Sequence, residues 1–309
     1  MPSLVLLWGL LEDTPLSAVQ AALHRRGATT FLVDQYAILN TAMALNVDAS
    51  IGGTIRIGSR LCRLSEVSGA YVRAYDSRRL LNGRQARPNG AACRHALALD
   101  ESISAWLELT PAVVVNRLTA MAGNGSKPYQ ALQIRSIGFE VPDTLITTDP
   151  AAATAFWEKH GVVVYKSVSS VRSIVSRLKP DHRDRLADIR WCPTQFQEYV
   201  PGTDIRVHIV GSRVFACEIL SEADDYRYAG RQGGETAVYP CVLPDECADR
   251  CVALAAAMGL LVAGIDLRRT ADGRWFCFEV NPSPGFTYYQ DQTGHLIDEA
   301  IADLLLSAA

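Results

Sequence analysis

The sequence has no excess charge of either sign and no long apolar run. Of its 309 residues, 30 are Lys or Arg and 33 are Asp or Glu, which gives a formal net charge of -3. This balance provides no broad basic surface for nucleic acid or anionic lipid. The longest apolar stretch, Cys251 to Ile265, is shorter than the roughly 20 residues that span a bilayer. We therefore expect no nucleic-acid partner and no membrane insertion.

An export signal and a disulfide framework are also missing. No Lys or Arg precedes the apolar run from Leu4 to Leu11, and acidic residues follow it at once, so a buried first strand is favoured. The eight cysteines contain no CxxC pair, and the closest group is Cys241, Cys247 and Cys251, without the His or second Cys pair that a zinc site would need. We interpret the cysteines as buried thiols and expect a cytoplasmic, reducing location.

The pattern of the first 115 residues predicts an α/β unit. A strand from Leu4, a helix from Ala18 to Arg26 and a strand from Thr29 to Asp34 form a βαβ unit, which is typical of a parallel sheet. No GxGxxG fingerprint follows the first strand, so we interpret the unit as scaffold. The remaining predicted elements are strands at Ile51 to Ile57, Gly69 to Tyr75 and Ala112 to Asn116 and a helix from Ala91 to Leu109.

A second region begins near Asn116, where a polar loop leads into a helix that ends at Gly138. Strands and helices alternate from there to the C-terminus, and Gly211-Ser212 and Asp272-Gly273 are hairpin signals. The predicted fold class is therefore α/β, with an α+β C-terminal half.

The second hairpin carries two acids that should face each other. A tight turn centred on Asp272-Gly273 pairs Asp266 with Glu279 and Gly264 with Asn281. Side chains alternate along a strand, so Glu279 and Asn281 should share one face, with Phe276, Phe278 and Val280 directed into a core. A bulge of one residue would place the acids on opposite faces.

Two like charges at this distance are destabilising unless something neutralises them. A shared proton is one solution, and a bound cation is the other. Two carboxylates and the amide oxygen of Asn281 are ligands that suit Mg²⁺ when phosphates complete its coordination, and the amide favours the metal. The alternative without function is an exposed acid pair at a sheet edge.

Basic side chains elsewhere would complement such a site. Lys127 in a polar loop and Lys166 at the end of an apolar strand could together bind a triphosphate, although each alone could be an ordinary surface lysine. Asp204, Arg206 and His208 alternate along one strand, where Arg206 could bind a phosphate or a carboxylate, or lie on a solvated face. We interpret His208 as structural.

Taken together, Lys127, Lys166, Gln197-Glu-Tyr-Val200, Asp204-Ile-Arg206, Asp266 and Glu279-Val-Asn281-Pro resemble the ATP-grasp superfamily of ATP-dependent ligases. The chain is most similar to the ribosomal-protein glutamate ligase branch and to the macrocyclases of graspetide (microviridin-type) peptides. The resemblance implies a pre-ATP-grasp domain at 1–115, a central subdomain at 116–195 and a C-terminal subdomain at 196–309.

The resemblance also implies a role for each matching residue. Lys127 and Lys166 would bind ATP phosphates, Gln197, Glu198 and Val200 would line the adenine slot, and Asp204 would meet the ribose. Asp266, Glu279 and Asn281 would hold two Mg²⁺ ions, and Arg206 and Arg227 would stabilise the transferring phosphoryl group or the acyl intermediate. The loop after Lys166 departs from the family pattern, because Ser167-Val-Ser-Ser-Val-Arg172-Ser lacks the usual glycines.

The implied activity joins a carboxylate to an amine through an acyl phosphate, with release of ADP and phosphate. The substrates would be small-molecule or peptide carboxylates and amines, and a homo-oligomer is compatible with the sequence. A nucleotide-binding module without catalysis, a carboxylate-thiol ligase and a small-molecule kinase on the same fold are the alternatives.

Overall fold

The computed structural model describes residues 3–81, 87, 89–168, 175–221 and 236–307. Arg227 and most of the loop after Lys166 lie outside these residues. Within the described ranges, every helix is too short or too polar to cross a membrane.

The strands, in chain order, are β1 (Leu4–Gly9), β2 (Thr29–Asp34), β3 (Thr41–Val47), β4 (Ile51–Ile57), β5 (Arg60–Arg63), β6 (Val67–Val72), β7 (Val113–Val115), β8 (Thr144–Thr147), β9 (Val163–Ser167), β10 (Ser176–Arg177), β11 (Thr194–Glu198), β12 (Thr203–Val210), β13 (Arg213–Ser221), β14 (Thr236–Cys241), β15 (Val262–Arg269) and β16 (Trp275–Asn281). The helices are α1 (Thr14–Arg25), α2 (Ala91–Leu109), α3 (Leu118–Met121), α4 (Lys127–Ser136), α5 (Pro150–His160), α6 (Asp245–Ala257), α7 (Thr287–Thr293) and α8 (Ile297–Leu306).

Four sheets organise these elements. A parallel sheet has the order β2-β1-β6-β7, and β3, β4 and β5 form a separate antiparallel sheet beside it. Two further antiparallel sheets have the orders β10-β9-β11-β8 and β14-β13-β12-β15-β16. The predicted βαβ unit is confirmed, and so is the mixed α/β and α+β class. The strand predicted at Ile51–Ile57 belongs to the antiparallel sheet of β3, β4 and β5. The sequence patterns did not predict the other two strands of this sheet.

The last helix packs against the first sheet. Ile297, Ile301 and Leu305 of α8 are fully buried in one core with Leu7 of β1 and residues of α1. The carbonyl of Leu305 would lie 2.6 Å from a β-carbon at Gly69, so a residue without a side chain lets helix and strand approach. The proposed bounds 1–115, 116–195 and 196–309 stay a prediction, and this core joins residues from the first and the last of them.

The five-stranded sheet has one apolar and one polar face because its side chains alternate. Its apolar face packs on α6 and α4 in a core that includes Val207, Ile265, Cys277 and Val280. The opposite face carries the polar side chains of β12 and β15, so the sheet presents them together. All eight cysteines are free thiols; five are buried and Cys192 is exposed.

Candidate active site

The β15-β16 hairpin places the two predicted acids side by side. Asp266 pairs with Glu279 and Gly264 pairs with Asn281, as the sequence predicts. However, this register does not arise from the predicted two-residue turn. The loop contains three residues rather than two, since Thr270 N donates to Arg274 O at 3.0 Å, and this shifts the strand pairing by one residue. A bulge near Phe278 shifts the pairing back. Gly273 closes the loop with φ +83°, a conformation that favours glycine.

The bulge changes which side chains enter the core. Cys277 and Val280 are fully buried against α6, whereas Phe278 is half-buried and lines a cavity with Lys127 and Lys166. The prediction that Phe276 and Phe278 point into this core is therefore wrong, since Phe276 pairs with Arg268 and lines a second cavity. A bulge supplies one residue without a cross-strand partner and shifts the side chains on one side of it to the other face.

Cationic side chains neutralise both acids in this structure. Arg206 Nη1 donates to Asp266 Oδ1 at 2.6 Å, and Lys127 Nζ donates to Glu279 Oε1. The side chains of Asp266 and Glu279 are 25% and 24% exposed, which excludes a freely solvated acid pair at a sheet edge. The hairpin thus brings two carboxylates, a lysine and an arginine together.

Arg206 fits because its neighbour has no side chain. It lies in β12 opposite Asp266 of β15, and only 6% of it is exposed. A β-carbon at Gly264 would lie 2.1 Å from Arg206 Nη2. The guanidinium therefore occupies the volume that any other residue at position 264 would fill.

His208 lies next to Arg206 on the same face and is buried. Its Nε2 is 3.3 Å from Gly285 O and 3.4 Å from Arg206 Nε. Burial, and then the charge of Arg206, hold the pKa of His208 well below its usual value, so the imidazole is neutral. This arrangement supports the structural role predicted for His208.

The loop after β16 is held by the N-terminal half of the chain. Arg73 Nη1 donates to Ser283 Oγ and to Pro284 O, both at 3.0 Å, and Arg73 is paired with Asp13. Asn281 Oδ1 accepts from Ser283 N at 2.9 Å, which orients the amide. The sequence patterns did not single out Arg73, which follows β6 and lies far from the hairpin along the chain.

A cavity of about 390 Å³ lies near Glu279, because it is lined by Lys127, which contacts Glu279, and by Phe278, its neighbour in the chain. Lys127, Lys166, Gln197 and Phe278 are among its lining residues, together with apolar side chains of α4 and β8. Lys166 and Gln195 form a cross-strand pair of β9 and β11, so this sheet contributes one wall. An apolar cleft with two lysines at its edge can hold a planar base and bind phosphates.

Three of the predicted nucleotide-binding residues have other contacts. Glu198 Oε1 accepts from Asp143 N at 2.9 Å, and Glu198 lines a second cavity together with Val200. Asp204 forms a bidentate ion pair with Arg268, with hydrogen bonds of 2.8 and 3.0 Å. Glu198 and Val200 thus line a different cavity from the one that Gln197 lines, and their predicted role in the adenine slot would fall to main-chain atoms.

The donor set suits a hard cation. Asp266 and Glu279 offer carboxylate oxygens and Asn281 an amide oxygen, and Mg²⁺ in proteins is bound by few such ligands while phosphates complete its shell. In the part of the chain that the structure describes, no three His, Cys, Asp or Glu side chains gather as they would around a metal bound by protein alone. The residues present therefore fit Mg²⁺ bound together with a nucleotide.

Comparison with known proteins places this geometry in context. The model of the RimK-like ATP-grasp domain matches residues 124–305. A probable alpha-L-glutamate ligase of Legionella pneumophila (strain Corby) is 37% identical over 128 residues, which are 40% of this chain and 39% of that protein. The match thus spans about two fifths of the length of that curated relative.

Solved structures resemble the whole chain. A RiPP-associated ATP-grasp ligase of Chryseobacterium gregarium, in complex with ADP and a leader and core peptide, superposes with a TM-score of 0.83 at 22% identity over 99% of this chain and 97% of that one. The macrocyclase MdnC of Microcystis aeruginosa MRC, bound with its precursor peptide MdnA, gives a TM-score of 0.79 at 24% identity over 98% and 99%. These likenesses establish the fold.

Proposed function

Because this chain belongs to the family of RimK-like ATP-grasp domains, we propose that it is an ATP-dependent carboxylate-amine ligase. The observation that carries the proposal is the pairing of Asp266 with Glu279 beside Lys127 and Arg206, at the edge of the cavity that Lys166 and Phe278 line. This set can bind Mg-ATP and stabilise a phosphoryl group during transfer.

The chemistry follows from the poor reactivity of a carboxylate. Its oxygen attacks the γ-phosphorus of ATP, the bond between that phosphorus and the ADP oxygen breaks, and an acyl phosphate forms. An amine then attacks the acyl carbon, the bond to the phosphate oxygen breaks, and the amine loses a proton. The products are an amide, ADP and phosphate, and the enzyme needs no side-chain nucleophile.

The residues of the chain have distinct roles in this scheme. Lys127 and Lys166 bind the phosphates, and the base lies against Phe278 in the cavity, beside Gln197 and main-chain atoms near Glu198 and Val200. Arg206, fixed by Asp266, offsets negative charge at the transferring group. When bound to Asp266, Glu279 and Asn281, Mg²⁺ supplies further positive charge to the phosphate oxygens. Arg227 keeps its proposed role at the acyl intermediate, and Asp204 its proposed contact with the ribose.

The substrates are proposed by class. The named relatives are a probable glutamate ligase and ligases in complex with peptides. We propose that this chain likewise acts on amino acids or peptides, which provide the carboxylate and the amine. A cytoplasmic location, which keeps the thiols reduced and provides ATP, belongs to the same proposal.

A hydroxylamine trapping experiment tests the activity. The protein is incubated with ATP, Mg²⁺, hydroxylamine and pooled amino acids and acidic peptides, and ADP, AMP and hydroxamate are quantified. The proposal predicts ADP and hydroxamate in equal amounts. AMP would contradict it in favour of adenylation, ADP with a phosphorylated hydroxyl compound would indicate a kinase, and nucleotide binding without product would favour a non-catalytic module.

Two isosteric variants assign the activity to the hairpin. Asp266→Asn and Glu279→Gln keep an acceptor for Arg206 and Lys127 but remove the negative charge that binds Mg²⁺. We expect each to lower ADP formation roughly 100-fold or more, with an unfolding temperature close to that of the wild type. Asp272→Asn is the matched control, because Asp272 lies in the exposed turn of the same hairpin. Full turnover in the first two variants would refute the metal assignment.

A further inference from the structure

We propose that Gln130 is a positioning residue for the metal-binding strand. Its buried side-chain amide holds Val280, the residue between Glu279 and Asn281, through two hydrogen bonds. The inference rests on the proposed Mg-ATP site and assigns a role to a residue of α4 that contacts neither nucleotide nor metal in that proposal.

β16 needs such a partner because it is an edge strand. It pairs with β15 on one side and is the last strand of its sheet on the other. Near its start, Glu140 covers the outer edge, since Cys277 N donates to Glu140 O at 2.9 Å. Further along, Gln130 Nε2 donates to Val280 O at 2.7 Å, and Val280 N donates to Gln130 Oε1 at 3.0 Å. One side-chain amide thus replaces a neighbouring strand.

The two hydrogen bonds fix the residues on either side. Val280 N belongs to the peptide plane shared with Glu279, and Val280 O to the plane shared with Asn281. Because each peptide unit is rigid, holding both atoms fixes both planes and with them the α-carbons of the two proposed ligands. The side chains of Glu279 and Asn281 therefore start from fixed positions on the face of the sheet that carries the proposed Mg²⁺ site.

The same helix connects this contact with the phosphate site. Lys127 and Gln130 are three residues apart in α4, so they lie on one side of the helix. Lys127 donates to Glu279 while Gln130 holds the next residue of the strand. A shift of α4 would thus move the lysine and the carboxylate together and preserve their distance.

A second buried amide holds the end of the segment. Asn116 Nδ2 donates to Pro282 O and to Val262 O, both at 2.6 Å, and Asn116 Oδ1 accepts from Val262 N at 3.1 Å. Asn281 therefore lies between two residues, Val280 and Pro282, that buried amides hold. Gln130 and Asn116 are 1% and 2% exposed, so water cannot replace either amide without rearrangement.

Gln130→Met tests the proposal, since methionine has a similar length and no hydrogen-bonding amide. The affinity for ATP is measured by calorimetry across free Mg²⁺ concentrations and in EDTA. We expect the Mg²⁺ concentration that gives half of the gain in affinity to rise about tenfold, equivalent to about 1.4 kcal/mol. The dissociation constant in EDTA should stay within about twofold, and hydrogen exchange at the amide of Val280 should accelerate about tenfold or more.

Gln133→Met is the matched control. Gln133 lies in the same helix, and its amide donates to the hydroxyl of Tyr129 rather than to the strand. It should leave both the Mg²⁺ dependence and the exchange of Val280 unchanged. If Gln130→Met does not fold, Gln130→Leu is used instead, because leucine is smaller and also lacks a hydrogen-bonding amide.

The outcomes are distinguishable. Faster exchange at Val280 with an unchanged Mg²⁺ dependence would overturn the positioning role, and so would an equal loss of ATP affinity in Mg²⁺ and in EDTA. A wild-type protein that binds ATP with no dependence on Mg²⁺ would instead refute the proposed function, and the role of Gln130 with it.

Discussion

Replacing Gly264 with alanine should disable Arg206 without touching a charged residue. The new β-carbon would lie 2.1 Å from Arg206 Nη2 and 2.7 Å from Pro284 Cβ. An ordinary contact needs about 3.5 Å, so the guanidinium must move by about 1.4 Å. A displacement of this size away from Asp266 would lengthen the hydrogen bond from Arg206 to Asp266, now 2.6 Å, beyond the limit of about 3.5 Å.

The magnitude follows from the contact that is lost. A hydrogen bond between charged groups contributes about 1.5–3 kcal/mol, which corresponds to roughly a ten- to 150-fold change in a rate or equilibrium constant. We expect Gly264→Ala to lower the rate of ADP and hydroxamate formation within this range. The fold should survive, because Gly264 has no positive φ and overpacking typically costs about 1–3 kcal/mol.

Gly285→Ala is the control, since a β-carbon there meets nothing within 4 Å. Its turnover should stay within about twofold of the wild type, because a methyl group in open space displaces no neighbour. The unfolding temperature of each variant is measured alongside. Wild-type turnover in a folded Gly264→Ala protein would show that turnover does not require Arg206 beside Asp266.

Two further predictions concern pH and nucleotide affinity. Because the pKa of His208 is well below that of the unfolded chain, the unfolded state binds more protons at acidic pH, and stability should fall as pH drops below about 6.5, by up to about 1.4 kcal/mol per unit. Urea unfolding of a His208→Gln variant should show a flatter pH dependence, and an unchanged slope would contradict this account. Phe278→Ala should weaken ATP binding about five- to 150-fold in Mg²⁺ and in EDTA alike, since stacking on a base contributes about 1–3 kcal/mol; an effect confined to Mg²⁺ would place Phe278 elsewhere.

The sequence predicted which residues of the hairpin face each other, although the register arises in another way. Alternation and a two-residue turn predicted the pairing of Asp266 with Glu279. These patterns did not predict the three-residue loop or the bulge. The loop and the bulge each shift the strand pairing by one residue, and the two shifts cancel, so Asp266 still pairs with Glu279. Without the bulge, the patterns assigned Phe278 to the core. A bulge depends on packing against α4 and β8 as much as on local preference, and no strand pattern contains that information.

The residues that the sequence patterns missed make direct contacts with segments that lie far away along the chain. Arg73 holds the loop after Asn281, Gln130 holds Val280 just before Asn281, and Asn116 holds Pro282 just after it. Each is a single polar residue near the end of an element, where a surface position is the ordinary expectation. Only the tertiary structure distinguishes a buried amide with two main-chain partners from an exposed one.

The fate of a carboxylate oxygen distinguishes an acyl phosphate from other routes to the amide. With the acid identified by trapping, its carboxylate is labelled with ¹⁸O and a single round of ligation with ATP and the amine is allowed. An acyl phosphate transfers one carboxylate oxygen to the departing phosphate, so we expect one ¹⁸O atom in inorganic phosphate and none in ADP. Label in AMP, or unlabelled phosphate beside a newly formed amide, would contradict it.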